Sequence, residues 1–245
     1  MQYHLEMIGY DAILIRFTNA GNAQLLPVIY SLTQQLTNAV DLDAVIIDII
    51  PSYQTLLVSF NILKIEPHQL VTKIDAYVKQ VLNTHIQTSD CTLPVKINLI
   101  TLPVCYHKSL APDLESLSRH AALSIDDIIH IHSSTIYSCY AIGFMPNFGY
   151  LGDVDTRIQI PRHAKPQVQV AAGSVGIADN QTAVYPKASP GGWQIIGQSP
   201  VALGRAVALD SLAVGCHVKF KPISLDDFHQ YQYQYQYQYQ QKVNL

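Results

Sequence analysis

Glycine and proline recur every few residues through the second half of this chain, starting with the ten-residue stretch GFMPNFGYLG at 143–152. Because both residue types break helices and strands, the apolar runs between them are short and indicate strands. This pattern restricts the second half to a β-sandwich or barrel with elaborate loops. The stretch itself has no charge but carries two phenylalanines and a tyrosine, which normally lie in a core. It is therefore either a tightly packed corner or the wall of a binding cleft.

The first part of the chain follows a different pattern, in which strands alternate with amphipathic helices. Runs rich in β-forming residues predict two strands within 3–17 and two more within 44–60. Apolar residues at helical spacing predict a helix over 22–36, with Pro27 in its first turn, and a second helix that begins at Pro67. The order ββαββα predicts a small α+β domain with its helices over one face of a sheet.

Changes in composition divide the chain into three parts. The polar run NTHIQTSDCT at 83–92 marks a boundary between the α+β domain, 1–86, and a mostly β domain, 93–224. Within the second domain, Ser124 followed three residues later by an aspartate predicts the N-cap of a short helix. The tail, 225–245, contains a Tyr-Gln repeat. We expect the tail to be disordered, with an added edge strand as the alternative, because strict alternation places all tyrosines on one face.

Composition limits the possible functions. Only 13% of the residues are charged, against the usual ~25%, which suggests surface that is hidden against a partner. A net charge of −3 provides no basic field for nucleic acid, and no apolar run reaches the ~18 residues of a membrane span. The N-terminus lacks a signal-peptide pattern, and the four cysteines show no CxxC spacing. We therefore interpret the protein as cytoplasmic, with free thiols.

No catalytic motif stands out in the sequence. There is no GxxxxGK[ST] phosphate loop, and Ser174 is outside a GxSxG elbow. His130 and His132 are two residues apart, so they point to different sides of a helix and do not indicate a metal site. His132 is interpreted as a capping or loop-bonding residue, or alternatively as a proton carrier, because histidine titrates near neutral pH.

Arginine and glycine provide stronger candidates for a site. An arginine fork binds a carboxylate or phosphate through two hydrogen bonds, and Arg157 and Arg162 both follow the aromatic stretch closely. The alternative for each is an ordinary surface ion pair. Gly173 and Gly176 either let backbone N–H groups approach an anion or form a tight turn. Trp193, beside a glycine pair, is either a cleft wall or a core anchor.

Three segments carry a family resemblance: IIPSYQTLLVSFN, the run from LPVCYHKSLAPDL to GYLGDVD, and AAGSVGIADNQTAVYPKASPGGWQIIGQSP. They resemble the family that contains the B component of 5-oxoprolinase, allophanate hydrolase subunit 1, the carboxyltransferase region of urea carboxylase and the inhibitor of a sporulation histidine kinase. The resemblance covers roughly 3–222 and is most specific over 94–200. It implies two catalytic candidates, Arg162 and His132. The other positions that it implies for the site are Gly143, Phe144, Pro146, Tyr150, Leu151, Gly152, Gly173, Ser174, Gln181, Tyr185, Pro190, Gly191, Gly192 and Trp193.

The resemblance also implies a fold and an activity. The second domain is expected to be a cyclophilin-like barrel, and the chain is expected to work with a second cyclophilin-like subunit, the C-type component of 5-oxoprolinase. A third subunit, the A-type component, completes an enzyme that uses ATP, with Mg²⁺, to hydrolyse 5-oxo-L-proline to L-glutamate. The chain alone is expected to have little activity. The alternatives are allophanate or urea carboxylase chemistry and inhibition of a sensor histidine kinase.

The chain departs from the family pattern at four places. It has Asn147-Phe148-Gly149 where the family commonly has Gly-Phe-Pro, and Pro166-Gln167 where a second Pro-Arg usually follows. Ala171 stands where the family has a proline, and Asp179-Asn180 replaces a glycine pair. The loss of an arginine and the gain of an aspartate predict a less positive cleft.

Overall fold

The computed structural model of this chain describes residues 1–87, 99–200 and 212–243. The chain forms two compact units, Met1–Lys96 and Ile97–Leu245. The predicted boundary segment, 83–92, is helical as far as Gln87 and otherwise lies outside the described residues.

The first unit contains two antiparallel strand pairs, each followed by a helix. Its elements are β1 (Gln2–Ile8), β2 (Ala12–Thr18), α1 (Asn22–Thr37), β3 (Ile46–Ser52), β4 (Thr55–Phe60) and α2 (Pro67–Gln87). The sheet has the order β1-β2-β4-β3. Phe17, Leu56 and Ile74 lie fully buried in a core that the sheet and the helices share. The predicted order ββαββα is confirmed.

Pro27 lies in the interior of α1, so its predicted place in the first turn is wrong. Gly21 is the N-cap of this helix, and its N–H donates to the side-chain oxygen of Gln24 over 3.3 Å. The helix therefore begins well before the proline, which removes one N–H donor from the helical hydrogen bonds. The Pro27 backbone accepts a hydrogen bond from the His85 side chain on α2.

The second unit is mostly β. Its elements are β5 (Leu99–Val104), α3 (Leu114–Ala121), α4 (Ile125–Ser134), β6 (Ile136–Ile142), β7 (Gly149–Gly152), β8 (Gln167–Val170), β9 (Ser174–Ala178), β10 (Gln181–Val184), β11 (Ser189–Gly191), β12 (Gln194–Gln198), β13 (His217–Pro222) and α5 (Leu225–Val243). The main sheet has the order β5-β13-β6-β7-β10-β9-β12, and β8 pairs with β11. Cys105, directly after β5, exchanges backbone hydrogen bonds of 2.8 and 3.0 Å with Gln198 on β12. Because this pair joins the two edge strands, the sheet closes into a barrel.

Helix α4 begins as the sequence predicts and packs against the barrel. The Ser124 hydroxyl accepts a hydrogen bond from the Asp127 N–H over 3.1 Å. Ile128 and Ile131 on the buried face of α4 join the same core as Phe220 on β13. An α+β unit followed by a mostly β barrel unit is the fold class that the sequence predicts.

Three of the four cysteines are buried free thiols, as the sequence predicts: Cys105, Cys139 and Cys216. A side-chain hydrogen bond between Cys139 and Cys216 raises the pKa of Cys139 and lowers the pKa of Cys216. Cys91 lies outside the described residues.

Residues 225–243 of the tail form a helix, where the sequence predicts disorder or, as the alternative, an edge strand. Helix α5 runs through the Tyr-Gln repeat to Val243. The Ser224 hydroxyl accepts the Asp227 N–H over 3.1 Å, and Phe228 is buried. The N-cap and the buried aromatic residue favour the first turns of α5. The composition of the repeat alone does not indicate these contacts. Within the part of the chain that the structure describes, no helix has the length and apolarity needed to cross a membrane.

Candidate functional site

The stretch 143–152 contains the turn between β6 and β7. The Gly143 N–H donates to the Phe148 carbonyl over 3.1 Å and closes this turn. Phe148 is 2% exposed, whereas Phe144 is 61% exposed. The stretch is therefore a packed corner and a cleft wall at the same time.

Phe148 is the centre of an aromatic cluster. Its ring makes edge-to-face contacts with four aromatic rings, at centroid distances of 5.0 to 5.5 Å. The four partners are Phe144, Tyr150, Tyr185 and Trp193. Each such contact contributes about 0.5–1.5 kcal/mol beyond the area that it buries. The cluster therefore forms a rigid apolar wall that brings together residues from the β7, β10 and β12 regions of the barrel.

A cleft of about 290 Å³ opens on this wall. Eight of the positions predicted for the site line it: Phe144, Tyr150, Arg162, Tyr185, Pro190, Gly191, Gly192 and Trp193. Its remaining lining residues are Phe148, which belongs to the aromatic stretch, and His163 and Pro166, which were not among the predicted site residues. Gly191 permits the close packing of this wall, since a Cβ there would lie 2.4 Å from the Tyr185 hydroxyl.

Arg162 is the arginine of the cleft. Its guanidinium carbon lies 5.7 Å from the centre of the Trp193 ring, a cation–π distance. Among the described residues it has no ion-pair partner. Arg157 is different, because its guanidinium is paired with the Asp155 carboxylate over 2.8 Å. Arg162 is therefore the cation that remains available to an incoming anion, and Arg157 is the ordinary surface ion pair.

His163, next to Arg162 in sequence, also belongs to the cleft and is held by Asp113. The His163 Nε2 lies 3.1 Å from the Asp113 Oδ2. The same Oδ2 accepts the Ile195 N–H over 2.6 Å. No sequence pattern indicates this pair, since Asp113 and His163 are far apart in the chain and meet only when β12 packs beside α3.

His132 does not reach the cleft, contrary to the prediction. It is fully buried in the barrel core and stacks on Phe220 with a centroid distance of 4.6 Å. Its Nδ1 accepts the Tyr106 hydroxyl over 2.7 Å, and its Nε2–H donates to the Thr182 hydroxyl over 3.1 Å. The Thr182 hydroxyl in turn donates to the Gly176 carbonyl. Burial lowers the pKa of His132 to about 3, so the ring is a neutral structural group.

This pKa predicts a loss of stability in acid. Protonation of His132 favours the unfolded chain, whose histidine has a pKa of about 6.5. The contribution of neutral His132 to the free energy of unfolding is complete above pH 6.5 and is lost as the pH falls from 6.5 to about 3. Between pH 7 and 4.5, the free energy of unfolding of the wild type should fall by about 3 kcal/mol more than that of His132→Gln, which cannot titrate. Urea unfolding at both pH values checks this, and equal losses would contradict it.

Of the two alternatives for Gly173 and Gly176, the structure favours a tight turn and close packing over the approach of an anion. The Gly173 N–H donates to the Tyr185 carbonyl over 2.7 Å, and the Ser174 N–H donates to the Ala171 carbonyl over 3.2 Å. The following residues of β9 are paired with β10 and β12. These N–H groups are therefore used inside the barrel, and the glycines serve a tight turn and close packing.

The other predicted positions outside the cleft belong to the barrel or to the turn. Leu151 is a buried core residue and Gly152 ends β7. Gln181 pairs with Ala178 at the start of β10. Pro146 lies exposed in the turn before β7. None of these four lines the cleft.

Two of the departures from the family pattern are explained by backbone conformation. Asn147 and Asp179 have φ of 64° and 54°, which asparagine and aspartate tolerate better than most residues. Asp179 lies in the turn between β9 and β10, and its N–H donates to the Ile160 carbonyl over 2.8 Å. It does not line the cleft, so the prediction that it makes the cleft less positive is wrong. The side-chain nitrogen of Gln167 lies 3.4 Å from both the Asp113 carboxylate and the His163 ring, the two residues that meet at the cleft.

This location predicts that Asp179 can be exchanged freely for glycine. Asp179→Gly should change the free energy of unfolding by less than about 1 kcal/mol, because glycine adopts positive φ at no steric cost. Asp179→Val should lose about 1–3 kcal/mol, since a β-branched residue is strained there. Thermal unfolding of both variants checks this. A large loss for Asp179→Gly would mean that the carboxylate has a role beyond the turn.

The fold and the cleft together define a class of two-unit proteins, in which an α+β unit precedes a closed barrel with a small aromatic cleft and an arginine that lines it. The chain belongs to the family described as carboxyltransferase domain, subdomain C and D, whose model matches residues 3–211. The resemblance seen in the sequence is thereby confirmed.

Known proteins agree with this membership. The B component of 5-oxoprolinase from Bacillus subtilis (strain 168), which is named as a subunit, is 33% identical over 235 residues, or 94% of this chain and 97% of the relative. The crystal structure of TTHA0988 superimposes with a TM-score of 0.70 at 25% identity, covering 87% of this chain and 40% of that chain. The K. lactis urea amidolyase superimposes with a TM-score of 0.68, covering 93% of this chain and 15% of that chain. At 17% identity, this last likeness concerns the fold alone.

Proposed function

We propose that this chain is one subunit of an ATP-dependent 5-oxoprolinase, which hydrolyses 5-oxo-L-proline to L-glutamate together with partner subunits. The observation that carries the proposal is Arg162 over Trp193 in a small aromatic cleft, with no ion-pair partner among the described residues. The 33% identical relative, which is the B component of a 5-oxoprolinase, supports it.

The cleft matches the chemistry of this substrate. The compound 5-oxo-L-proline is a small ring with one carboxylate and one amide. The guanidinium of Arg162 binds the carboxylate with two charge-assisted hydrogen bonds. The Trp193 and Tyr185 rings, which line the cleft, are placed to contact the apolar face of the lactam. A volume of about 290 Å³ accommodates a ligand of this size.

The cleft does not fit ATP with Mg²⁺, the cofactor that the family resemblance implies. A triphosphate needs several cations or free N–H donors, whereas Arg162 is the unpaired cation among the lining residues and the N–H groups of Gly173 and Ser174 are occupied. Over residues 1–87, 99–200 and 212–243, no group of three or more His, Cys, Asp or Glu side chains is placed to hold a metal ion. We place nucleotide binding outside this cleft and assign the cleft to 5-oxo-L-proline.

The proposed partners are a second cyclophilin-like subunit, the C-type component, and a third subunit, the A-type component, in the cytoplasm. The relative is named as one subunit of its enzyme, which supports an assembly, and the low charged fraction of 13% favours a surface that is covered. Allophanate hydrolysis or urea carboxylation is the second candidate, because allophanate also offers a carboxylate beside an amide. Inhibition of a histidine kinase has no supporting feature in the described part of the cleft.

The test of this proposal is coupled turnover. The chain is co-purified with the C-type and A-type components, and ATP hydrolysis and glutamate release are measured with and without 5-oxo-L-proline. We expect both products to appear together and to depend on all three chains. Turnover of allophanate instead would support the second candidate, and a stable complex without turnover of either compound would overturn the enzyme proposal.

A further inference from the structure

A carboxylate and an imidazole meet at the edge of the cleft in a fixed arrangement. The Asp113 and His163 side chains are 14% and 27% exposed, and Oδ2 to Nε2 is 3.1 Å. The Ile195 N–H and the Gln167 side-chain amide donate to the same Asp113 Oδ2 over 2.6 and 3.4 Å. The backbone N–H of His163 donates to the Gly192 carbonyl over 2.8 Å. Both partners are therefore positioned by the fold before any ligand binds.

This arrangement determines which nitrogen of His163 is available. In the neutral ring, Nε2–H donates to Asp113, so Nδ1 carries the free lone pair. Among the described residues, Nδ1 has no hydrogen-bond partner. His163 lines the cleft beside Arg162. A carboxylate-held imidazole with a free second nitrogen is the arrangement that general bases use in acyl chemistry.

We propose that His163 is the proton-transfer residue of the cleft and that Asp113 is its positioning residue. This inference rests on the proposed function. His163 accepts a proton from the water that attacks the lactam carbonyl carbon, and a C–O bond forms. When the C–N bond breaks, the imidazolium returns that proton to the departing ring nitrogen. Atoms and charge balance in this step, since water and the amide become a carboxylic acid and an amine, and the ATP hydrolysis of the assembled complex supplies the free energy that drives it.

Two charged groups lie near the His163 ring. Asp113 contacts the ring directly, and Arg162 lines the same cleft. Tyr150 and Tyr185 also line the cleft, and burial raises the pKa of Tyr185, so it stays neutral near pH 7. Asp113→Asn keeps an acceptor for Ile195 but removes the charge. This variant should lower kcat and leave KM near that of the wild type, because the His163 ring loses the charged group that orients it.

The experiment uses the three-chain complex. His163→Ala should lower kcat about 100-fold or more, with KM nearly unchanged, and added imidazole should restore part of the rate. The control is His120→Ala, which removes an exposed histidine on α3 and should have no effect. Thermal unfolding of each variant shows whether it is folded.

The outcomes separate the two proposals. If the wild-type complex turns over 5-oxo-L-proline but His163→Ala keeps its kcat, this inference is overturned and the proposed function stands. A lower kcat in His163→Ala that imidazole does not restore, with an unchanged kcat in Asp113→Asn, reduces the pair to a structural role and also overturns the inference. If the wild-type complex has no turnover, the proposed function fails and this inference fails with it.

Discussion

Replacing Arg162 with alanine is expected to lower kcat/KM of the assembled complex for 5-oxo-L-proline by about 100-fold or more. A hydrogen bond to a charged group contributes about 1.5–3 kcal/mol, and the guanidinium fork offers two. Losing them leaves the substrate carboxylate without a partner in an apolar cleft, so about 3 kcal/mol of binding is lost, which corresponds to this factor. Because the carboxylate lies away from the reacting bond, most of the change should fall on KM.

The chain provides a matched control for this substitution. Arg157→Ala removes another arginine, five residues earlier, whose charge is already paired with Asp155 on the surface. It should leave kcat/KM within about twofold of wild type, since exposed ion pairs contribute little. Arg162→Lys keeps the charge but loses the fork and should be intermediate. Equal effects of Arg162→Ala and Arg157→Ala would remove Arg162 from the site.

Replacing Gly173 with alanine is expected to lower the free energy of unfolding by about 3 kcal/mol or more. The residue has φ of 83°, and an added Cβ would lie 2.3 Å from the Ser199 carbonyl oxygen. Strain at this φ costs about 1–3 kcal/mol, and the clash adds to it because the obstacle is backbone. The Ser199 N–H donates to the Gly173 carbonyl over 2.8 Å, so the two segments cannot separate without losing this bond.

Gly143→Ala is the control for stability. Its Cβ would have Tyr150 as its nearest neighbour at 3.9 Å, an ordinary contact. Urea unfolding should show a small change for Gly143→Ala and a large one for Gly173→Ala. If Gly173→Ala does not fold, its yield of soluble protein beside that of Gly143→Ala gives the same comparison. Wild-type stability in Gly173→Ala would contradict the close packing of Gly173 against Ser199.

Local patterns predicted the elements well because each depends on neighbouring residues. The helices of the first unit follow from apolar spacing, and the N-cap at Ser124 follows from a hydroxyl and an aspartate three residues apart. The tail shows that composition alone can mislead. Ser224 and Phe228 favour a helix, but the Tyr-Gln repeat after them has the low-complexity composition that predicts disorder.

The site was harder to predict because its residues meet only in the folded barrel. His132 follows Ile128 and Ile131 at helical spacing, a signal that it belongs to the buried face, but the family resemblance suggested that it belongs to the site. Gly173 shows a second difficulty. A glycine can let an anion approach or let another backbone segment pack closely, and the local sequence does not distinguish these two roles. Asp113 and His163 left no local signal at all.

Trp193 allows carboxylate binding in the cleft to be measured by itself, because it is the only tryptophan of the chain and it lines the cleft. The measurement is its fluorescence during titration of the isolated chain with 5-oxo-L-proline and, separately, with 2-pyrrolidinone, the same lactam without the carboxylate. We expect a saturable change with 5-oxo-L-proline that disappears in Arg162→Ala, and no saturable change with 2-pyrrolidinone. No response to 5-oxo-L-proline, or equal responses to both compounds, would contradict a carboxylate-binding cleft at Arg162.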